Sequence, residues 1–378
     1  MSSTDEPNDN RSDDTSTVVV TGASGWLGQN LVRHLAAERN RVRCLVPDPN
    51  SGPPLELLSP SVETVVGDVR DPAVVDQLFA DTGAATVFHA AAVIHPQRST
   101  REFFDVNVGG TQMILDRARR SGARRVVHVS SNSPFGANPT PTDRFTEDSP
   151  YNPYMGYGQS KRESEQLVKQ ANDRGDVPTV IVRAPWFYGP YQPARQSTFF
   201  TAIRKGRFPL IGDGTQQRSM VYTDNLVQGL LCAERTDAAA GNAYWIADAE
   251  PYTLNDILAT VGKALKAEGV EVTDRQPRRM PRAASVAAEK VDGFLHQDAR
   301  RRVIRILARH RNLFFSEPPI LSRAYLPALV GTSREMTGSV LRRLEREGTI
   351  ARVGRTGLRL LDPAGLELDD ASALRRAG

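Results

Sequence analysis

The chain has 378 residues, a mass of 41.5 kDa and a net charge of +4, and 39% of its residues are hydrophobic. This length is enough for two or three domains of about 100–200 residues each. Charged residues make up 24% and the mean hydropathy is −0.40, which excludes a collagen, a coiled coil and a mainly disordered chain. No apolar run approaches the roughly 20 residues that a bilayer span needs, so we expect no membrane-spanning helix.

Residues 1–16 are polar and acidic and predict a disordered tail with no secretion signal. Strands and helices then alternate. We predict strands at residues 17–21, 42–46, 62–66, 86–89, 125–130 and 179–183, and helices at 26–38, 72–80, 103–121 and 154–172. Asp71 and Pro72 suit the N-cap and first turn of the second helix. The alternation predicts an α/β fold with a Rossmann-type doubly wound parallel sheet over residues 17–183.

After residue 183 the pattern loosens and prolines become frequent. Such a stretch predicts loops, and we expect residues 184–295 to form a small substrate-binding insertion. Residues 17–295 would then form one domain and residues 296–378 another.

A glycine-rich turn joins the first strand to the first helix, with the sequence TGASGWLG at residues 21–28. Glycines allow a backbone to approach a pyrophosphate closely, and the helix N-terminus supplies N–H groups and a partial positive charge. A strand before the turn and a helix after it are the context in which this motif indicates a dinucleotide site.

Tyr157 and Lys161 are spaced i and i+4 on the fourth predicted helix, and therefore share one face of it. A free tyrosine has a pKa near 10 and is a poor base at neutral pH. A nearby ammonium favours the phenolate and lowers that pKa. The pair predicts an acid–base centre in which Lys161 tunes Tyr157.

These features, with several others, resemble the extended short-chain dehydrogenase/reductases, most closely the 3β-hydroxysteroid dehydrogenase and nucleotide-sugar epimerase/dehydratase branches. The resemblance covers about residues 17–295. The further motifs are GDVRD at 67–71, FHAAA at 88–92, VNVGGT at 106–111, RAPWFYGP at 183–190 and VYTDN at 221–225. The last motif favours the hydroxysteroid branch.

The resemblance implies a nicotinamide cofactor, NAD or NADP, and a set of residues that bind it. This set comprises Gly22, Ser24, Gly25, Trp26, Leu27, Gly28, Asp48, Asp68, Val69, Ala90, Ala91, Ala92, Asn107, Lys161 and Pro185. Asp48 lies one or two places later than the family's ribose-binding Asp, and Pro47 occupies the usual Arg position. We favour NAD slightly, because a carboxylate at residue 48 would repel a 2′-phosphate.

The resemblance also places a catalytic hydroxyl at Ser131, which would orient the substrate oxygen towards Tyr157, while Lys161 would bind the nicotinamide ribose. Ser133, Phe187 and Tyr188 are candidate substrate contacts. The implied enzyme is an NAD(P)-dependent oxidoreductase or epimerase acting on a secondary alcohol or ketone, either sterol-like or a nucleotide sugar. We expect a homodimer.

No group of His, Cys, Asp and Glu has metal-ligand spacing in the sequence, so we predict no metal site. Cys44 and Cys232 are too few for a disulfide scaffold. We expect two buried thiols in a reducing cytoplasm.

The charge is concentrated near the end of the chain. Residues 296–378 contain 16 Arg, no Lys and 9 acidic residues, a net charge of +7, which leaves −3 for the rest. A basic helix at 298–311 is followed by a helix–turn–helix pattern at 321–350 and a two-stranded wing at 351–361. This segment resembles the winged helix of the catabolite-activator family, which implies that Ser333, Arg334 and Glu335 contact DNA.

Two alternatives stay open for the C-terminal segment. Residues 342–348 could instead be a drifted form of the closing helix of extended dehydrogenases, but the Tyr-x-Pro of that helix is absent and the wing-like tail has no counterpart there. Pro327 and Ser339 depart from the winged-helix pattern. A winged helix can also mediate protein contacts. If it binds DNA, the chain would be a transcriptional regulator that senses nicotinamide redox state.

Overall fold

The computed structural model describes residues 17–94, 96, 100–138, 140, 143–153, 155–193, 196–211, 213–273, 278–280, 303–304, 307–308, 311, 315, 334–353 and 357–363. Its strands are β1 (Thr17–Thr21), β2 (Arg41–Val46), β3 (Val62–Val66), β4 (Thr86–His89), β5 (Arg125–Ser131), β6 (Thr179–Ala184), β7 (Trp186–Tyr188), β8 (Pro209–Ile211), β9 (Gln217–Arg218), β10 (Met220–Tyr222), β11 (Ala243–Trp245), β12 (Tyr252–Thr253), β13 (Arg278–Met280), β14 (Ile350–Val353) and β15 (Gly357–Leu360). Its α-helices are α1 (Trp26–Glu38), α2 (Pro53–Glu56), α3 (Pro72–Leu78), α4 (Gly109–Ser121), α5 (Met155–Asp173), α6 (Ser197–Arg204), α7 (Thr223–Arg235), α8 (Leu254–Ala267) and α9 (Arg334–Arg346).

The main sheet is parallel, with the strand order β11-β6-β5-β4-β1-β2-β3. The chain fills one half of the sheet from β1 to β3 and then crosses to β4 on the other side of β1. This reversal brings the carboxyl ends of β1 and β4 together at a crevice, where doubly wound sheets bind their ligands. The predicted Rossmann-type sheet is confirmed.

Two apolar layers hold helices against the sheet. On one face, α1 and α7 bury residues such as Leu31 and Leu230 against Val20. On the other face, α3, α4 and α5 bury residues such as Ile114 and Val168. The strands are short apolar runs because both of their faces are covered.

The sequence-based element boundaries agree with the structure to within two residues, with one exception. The helix predicted at 103–121 consists of a π-helical segment, Phe103–Val108, followed by α4. Asp71 caps α3 through the backbone N–H of Ala73, with Pro72 in the first turn, as predicted.

The region after β6 contains short strand pairs and α6–α8. Strand β7 pairs with β10 in parallel, and β9 pairs with β12 in antiparallel orientation. Thr253 caps α8 in a capping box with Asp256, which fixes the start of this helix locally. Within the described residues, no helix combines the length and the apolar character that a membrane span requires.

The chain divides into two compact units, one formed by Met1–Phe208 with Asp213–Arg278 and the other by Pro209–Gly212 with Arg279–Gly378. In the second unit, α9 and the antiparallel pair β14–β15 form a small core with Val303, Ile304 and Leu307. The two strands are the predicted wing. The first helix of the predicted helix–turn–helix, at 321–331, and most of the basic helix at 298–311 lie outside the described residues.

The expectation of two buried thiols is wrong for Cys232, which is exposed. Its neighbours Leu230, Leu231 and Ala233 are buried, so Cys232 falls on the outer face of α7. Cys44 is buried in the sheet, and this burial raises its pKa to about 12.

Candidate active site

The glycine-rich turn brings two backbone segments into close contact at the crevice between β1 and β4. Gly22 has a φ of +70°, and a Cβ there would lie 2.7 Å from the backbone of Ala90. The N–H of Ala90 donates to the carbonyl of Thr21 at 3.2 Å, and the N–H of Ala91 donates to the Thr21 hydroxyl at 3.2 Å. Residue 22 therefore has to be glycine for both geometric reasons.

The N-terminus of α1 is open to a ligand. Its N-cap is Gly25, which has no side chain to bond the first N–H groups of the helix. A Cβ at Gly28 would lie 2.1 Å from the carbonyl oxygen of Gly22, so glycine here lets the helix pack onto the turn. Uncapped N–H groups on a backbone without Cβ atoms fit a pyrophosphate, as a dinucleotide cofactor requires.

Other predicted cofactor residues follow strands of the same parallel sheet. Ala90–Ala92 follow β4 directly, and Asp68 and Val69 follow β3. The Asp68 carboxylate accepts hydrogen bonds from the backbone N–H and the guanidinium of Arg70, and these bonds lower its pKa. Asp48 accepts from the N–H of Asn50 at 3.0 Å and from the Ser51 hydroxyl at 2.7 Å, which fixes its carboxylate two residues beyond β2.

Asn107 lies in the π-helical segment and is buried. Its side chain accepts from the N–H of Val93 at 2.7 Å and donates to the Val93 carbonyl at 3.1 Å and to the Ser160 hydroxyl at 2.9 Å. Its own carbonyl accepts from Thr111 and Ser164. Asn107 thus ties α5 to the loop after β4, and its cofactor contact stays a prediction.

Ser131 and Tyr157 meet where β5 ends and α5 begins. Ser131 is the last residue of β5 and pairs in register with Ala184 of β6. The Ser131 side chain lies close enough to the Tyr157 phenol to lower the pKa of that phenol, and its hydroxyl lies 2.5 Å from the Ser133 hydroxyl. The two residues are separated by 26 positions in the sequence, so the fold brings this predicted pair together.

Glycine allows α5 to approach the end of β5 closely. A Cβ at Gly158 would lie 2.5 Å from the carbonyl oxygen of Ser133. The ring of Phe103 packs at a tilt on the ring of Tyr157, with 5.9 Å between ring centroids. These contacts fix the orientation of the Tyr157 phenol.

Lys161 is 2% exposed and points from α5 towards β5. Its Nζ donates to the carbonyl of Val129 at 2.7 Å and lies 3.2 Å from Nε2 of His128. Burial lowers the pKa of Lys161 to about 8, although the charge of Glu165 acts in the opposite direction.

The expectation that Lys161 lowers the pKa of Tyr157 is not met by the residues of this chain. The pKa of Tyr157 is raised, because burial outweighs the opposite effect of Ser131. The Lys161 ammonium is instead held at the strand by Val129 and His128. A net lowering of the Tyr157 pKa would have to come from a bound group.

Sequence reasoning missed a buried ion pair beneath these residues. Glu165 accepts from Arg183 at 2.9 Å, and both side chains are at most 1% exposed. Glu165 also accepts from the hydroxyls of Ser130 and Tyr151. Its spacing of i+4 from Lys161 was the available signal, but the partner on β6 could be identified only from the sheet order.

The predicted substrate contacts follow β6 at the same edge of the sheet. Pro185 is buried, and Phe187 packs on the Trp26 ring, with 4.8 Å between ring centroids. Tyr188 is 38% exposed and donates to Asp248, a residue that the sequence did not single out. Trp186 is 47% exposed, and the Arg218 guanidinium lies 5.1 Å from its ring centroid.

The predicted DNA contacts lie in the second unit. Arg334 and Glu335 are the first two residues of α9, of which the backbone is described, and Ser333 lies outside the described residues. Along the described part of this unit, Arg343 pairs with Glu347, and Arg352 pairs with Glu345. The DNA contacts stay a prediction.

In the part of the chain that the structure describes, no group of three or more His, Cys, Asp or Glu side chains is arranged to hold a metal ion. The buried histidines His89 and His128 bond to other partners. His89 contacts the hydroxyls of Thr21 and Thr111 at 2.7 and 2.9 Å.

Comparison with known families gives two matches along the chain. The model of the NAD dependent epimerase/dehydratase family matches residues 18–247. The model of the Crp-like helix-turn-helix domain matches residues 295–368. The second match supports the winged-helix assignment of the C-terminal segment over a drifted dehydrogenase helix.

Several similar proteins match about three quarters of the chain. An uncharacterized protein of Sinorhizobium fredii, y4nL, is 41% identical over 290 residues, 74% of this chain and 80% of its own length. A 4-hydroxy-2-methyl-3-oxo-4-farnesyl-3,4-dihydroquinoline-1-oxide ketoreductase of Stigmatella aurantiaca is 31% identical over 291 residues, 76% of this chain and 84% of its own. Among solved structures, the dTDP-glucose 4,6-dehydratase DesIV of Streptomyces venezuelae, with NAD and TYD bound, matches with a TM-score of 0.60 and 27% identity over 70% of this chain and 84% of its own.

Proposed function

The chain belongs to the NAD dependent epimerase/dehydratase family, and from this membership we propose that it interconverts a ketone and a secondary alcohol by hydride transfer. It is an NAD(P)-dependent enzyme of the extended short-chain dehydrogenase type. The observation that supports the reaction is the meeting of Ser131 and Tyr157 at the end of β5, with Lys161 one helical turn away. Ser131 ends β5, and the glycine-rich turn follows β1, so both lie at the carboxyl ends of strands in the same parallel sheet.

In the proposed reaction, Tyr157 holds and transfers the proton at the substrate oxygen. Ser131 binds the same oxygen and orients it towards the Tyr157 hydroxyl. Proton transfer by a positioned side chain is worth typically about 10²–10⁴-fold in rate. Phe103 packs on the Tyr157 ring, and Gly158 lets this part of α5 approach the backbone of Ser133.

The nicotinamide cofactor, when bound, supplies or accepts the hydride, and its oxidised ring carries a positive charge. Lys161 binds the nicotinamide ribose, and Gly22, Gly25 and Gly28 admit the pyrophosphate at the start of α1. We favour NAD over NADP, because the fixed Asp48 carboxylate repels a 2′-phosphate. This preference is independent of the acid–base assignment.

For the substrate we favour a ring ketone of the sterol type over a nucleotide sugar. Strand β7 continues directly from the partner strand of Ser131 and presents Trp186 and Tyr188 on its exposed side. Aromatic side chains suit a flat or fused apolar ring. The ketoreductase of Stigmatella aurantiaca is named after a dihydroquinoline, which is a fused ring system, and this agrees with the choice.

A panel assay tests both parts of the proposal. The full chain is incubated with NADH and a panel of sterol ketones, or with NAD and dTDP-glucose, and both cofactor and product are followed. A ketoreductase consumes NADH in proportion to product, whereas an epimerase or dehydratase changes the sugar without net consumption of cofactor. The Tyr157→Phe variant should bind NADH and lose turnover by about 10²-fold or more; unchanged turnover would rule out its role.

A second function, DNA binding, is favoured by the C-terminal unit. Helix α9 and the wing β14–β15 share a buried core, and the surrounding segment carries a net charge of +7 from 16 Arg and 9 acidic residues in 296–378. Basic helices of this kind bind the phosphates and the major groove of a duplex. A chain with both units would combine nicotinamide chemistry with DNA recognition.

Salt dependence tests the second function. The full chain is titrated with a random-sequence duplex at several salt concentrations, and log affinity should fall linearly with log salt. Arg334→Ala should weaken binding more than Arg343→Ala, because the Arg343 guanidinium is already paired with Glu347. Absence of binding at low salt would exclude the regulator hypothesis.

A further inference from the structure

A buried histidine lies behind the catalytic lysine. His128 is 1% exposed and lies in the middle of β5, three residues before Ser131. Its Nε2 is 3.2 Å from Nζ of Lys161. The only other hydrogen bond of the Lys161 ammonium among the described residues goes to the carbonyl of Val129, at 2.7 Å.

The protonation of His128 fixes the direction of this contact. Burial and the charge of Lys161 lower the pKa of His128 well below its ordinary value, so the ring is neutral. Because an ammonium has three donors and no acceptor, the Nε2 lone pair accepts from Lys161. The Val129 carbonyl takes a second N–H, and a third is left.

The other ring nitrogen argues against a purely structural role. With Nε2 as acceptor, Nδ1 carries the proton, and in the described part of the chain this buried N–H has no hydrogen-bond partner. Unpaired buried N–H groups destabilise folded proteins. The neighbouring strand positions Val126 and Val127 show that an aliphatic side chain fits this part of β5.

His89 is the second buried histidine in this region, and it forms hydrogen bonds with Thr21 and Thr111 rather than with Lys161. Thr111 donates to the carbonyl of Asn107, so the His89 Nε2–H donates to Thr111 and its Nδ1 accepts from Thr21. Its ring centroid lies 5.3 Å from that of His128. His128 is thus the ring that bonds Lys161, and His89 is the ring that bonds the strand leading into the glycine-rich turn.

We propose that His128 is a positioning residue of the active site, which accepts a hydrogen bond from Lys161 and thereby directs the remaining N–H of that lysine to the nicotinamide ribose. The inference rests on the proposed function, because it needs Lys161 to bind the cofactor. A lysine side chain has four rotatable bonds. Two fixed hydrogen-bond acceptors restrict the ammonium to one orientation. His128 itself touches neither cofactor nor substrate.

A matched pair of amide variants tests this role. His128→Gln places a carbonyl oxygen near the position of Nε2, and His128→Asn places the same group too short to reach Lys161. NADH is titrated calorimetrically into each full-length variant, with folding followed by tryptophan fluorescence. We expect about tenfold weaker NADH binding for Asn, since a hydrogen bond to a charged group is involved, and a change within about twofold for Gln.

A double-mutant cycle with Lys161→Met separates positioning from packing. If His128 acts through Lys161, His128→Asn should weaken NADH binding no further in the Lys161→Met background. Equal losses in the two backgrounds, or equal losses for Gln and Asn, would overturn the inference and leave the proposed function intact. Failure of the wild type to bind NADH or NADPH would overturn both.

Discussion

The carboxylate of Glu165 on α5 lies 2.9 Å from Nη2 of Arg183 on β6, and neither side chain is more than 1% exposed. Arg183 also lies over the ring of Phe135, 4.5 Å from its centroid. The pair connects the helix of Tyr157 and Lys161 to the strand that leads into β7. Loss of one partner would leave a buried charge without compensation.

We therefore expect Arg183→Met to lower the free energy of unfolding by about 3–5 kcal/mol. The same substitution at Arg33, which forms an exposed pair with Asp224, should cost about 1 kcal/mol or less. Denaturant unfolding followed by tryptophan fluorescence measures both, because Trp26, Trp186 and Trp245 all lie in the first unit. Equal losses for the two variants would contradict the importance of the buried pair.

The glycine-rich turn gives a second prediction. Gly22→Ala combines a φ of +70° with a Cβ 2.7 Å from the Ala90 backbone, whereas Gly122→Ala has a φ of +66° and open space around its Cβ. Both variants carry similar backbone strain of about 1–2 kcal/mol. Only Gly22→Ala should reduce NADH binding, by about tenfold or more as judged by calorimetry. Normal NADH binding by Gly22→Ala would show that the glycine-rich turn does not contact the cofactor.

Lys161 makes stability depend on pH in a defined direction. Its pKa is about 8 in the folded protein, compared with 10.5 ordinarily. Between these values the unfolded chain binds the proton and the folded chain does not, so the unfolding free energy rises with pH. Below pH 8 lysine is charged in both states, and the full penalty of burying the charge is present.

Relative to Lys161→Met, the wild type should therefore become more stable between about pH 8 and 10, by on the order of 2 kcal/mol. Both proteins are denatured at a series of pH values, and the difference between their unfolding free energies is followed. The other titrating groups contribute equally to both proteins and cancel in this difference. A constant difference across this range would show that Lys161 keeps an ordinary pKa.

Asp48 gives a prediction about cofactor choice. In Asp48→Asn, the amide oxygen can still accept from the N–H of Asn50, and the amide NH2 group can donate to the Ser51 hydroxyl, which bonds the other oxygen of Asp48. The substitution removes the negative charge. Removing one charge–charge repulsion near the surface is worth about 1 kcal/mol, so the affinity for NADPH relative to NADH should rise about fivefold. Parallel titrations with the two cofactors measure this affinity ratio. An unchanged ratio would show that the 2′-phosphate of NADPH binds away from residue 48.

The sequence was sufficient for features that depend on neighbouring residues. Buried strands such as β1 are short β-branched runs, and the glycine turn, the Asp71 cap and the i, i+4 pair Tyr157/Lys161 are all local patterns. Ser131 was identified only through the family resemblance, because its distance from Tyr157 along the chain hides the contact. The family and the C-terminal helix-turn-helix match agree with these interpretations.

Contacts between distant elements could not be predicted in the same way. Arg183 finds Glu165, and Lys161 finds His128, only after the order β4-β5-β6 and the packing of α5 are known. The raised pKa of Tyr157 also depends on burial, which a residue pattern does not supply. The roles of the individual site residues and the homodimer stay predictions.

The most direct test of the account is calorimetric titration of the full chain with NADH and, separately, with NADPH. The account predicts saturable uptake of one nicotinamide cofactor per chain, with NADH bound more tightly than NADPH, and retention of that uptake in Tyr157→Phe. No heat of binding with either cofactor would contradict the dinucleotide site, and with it the acid–base role of Tyr157.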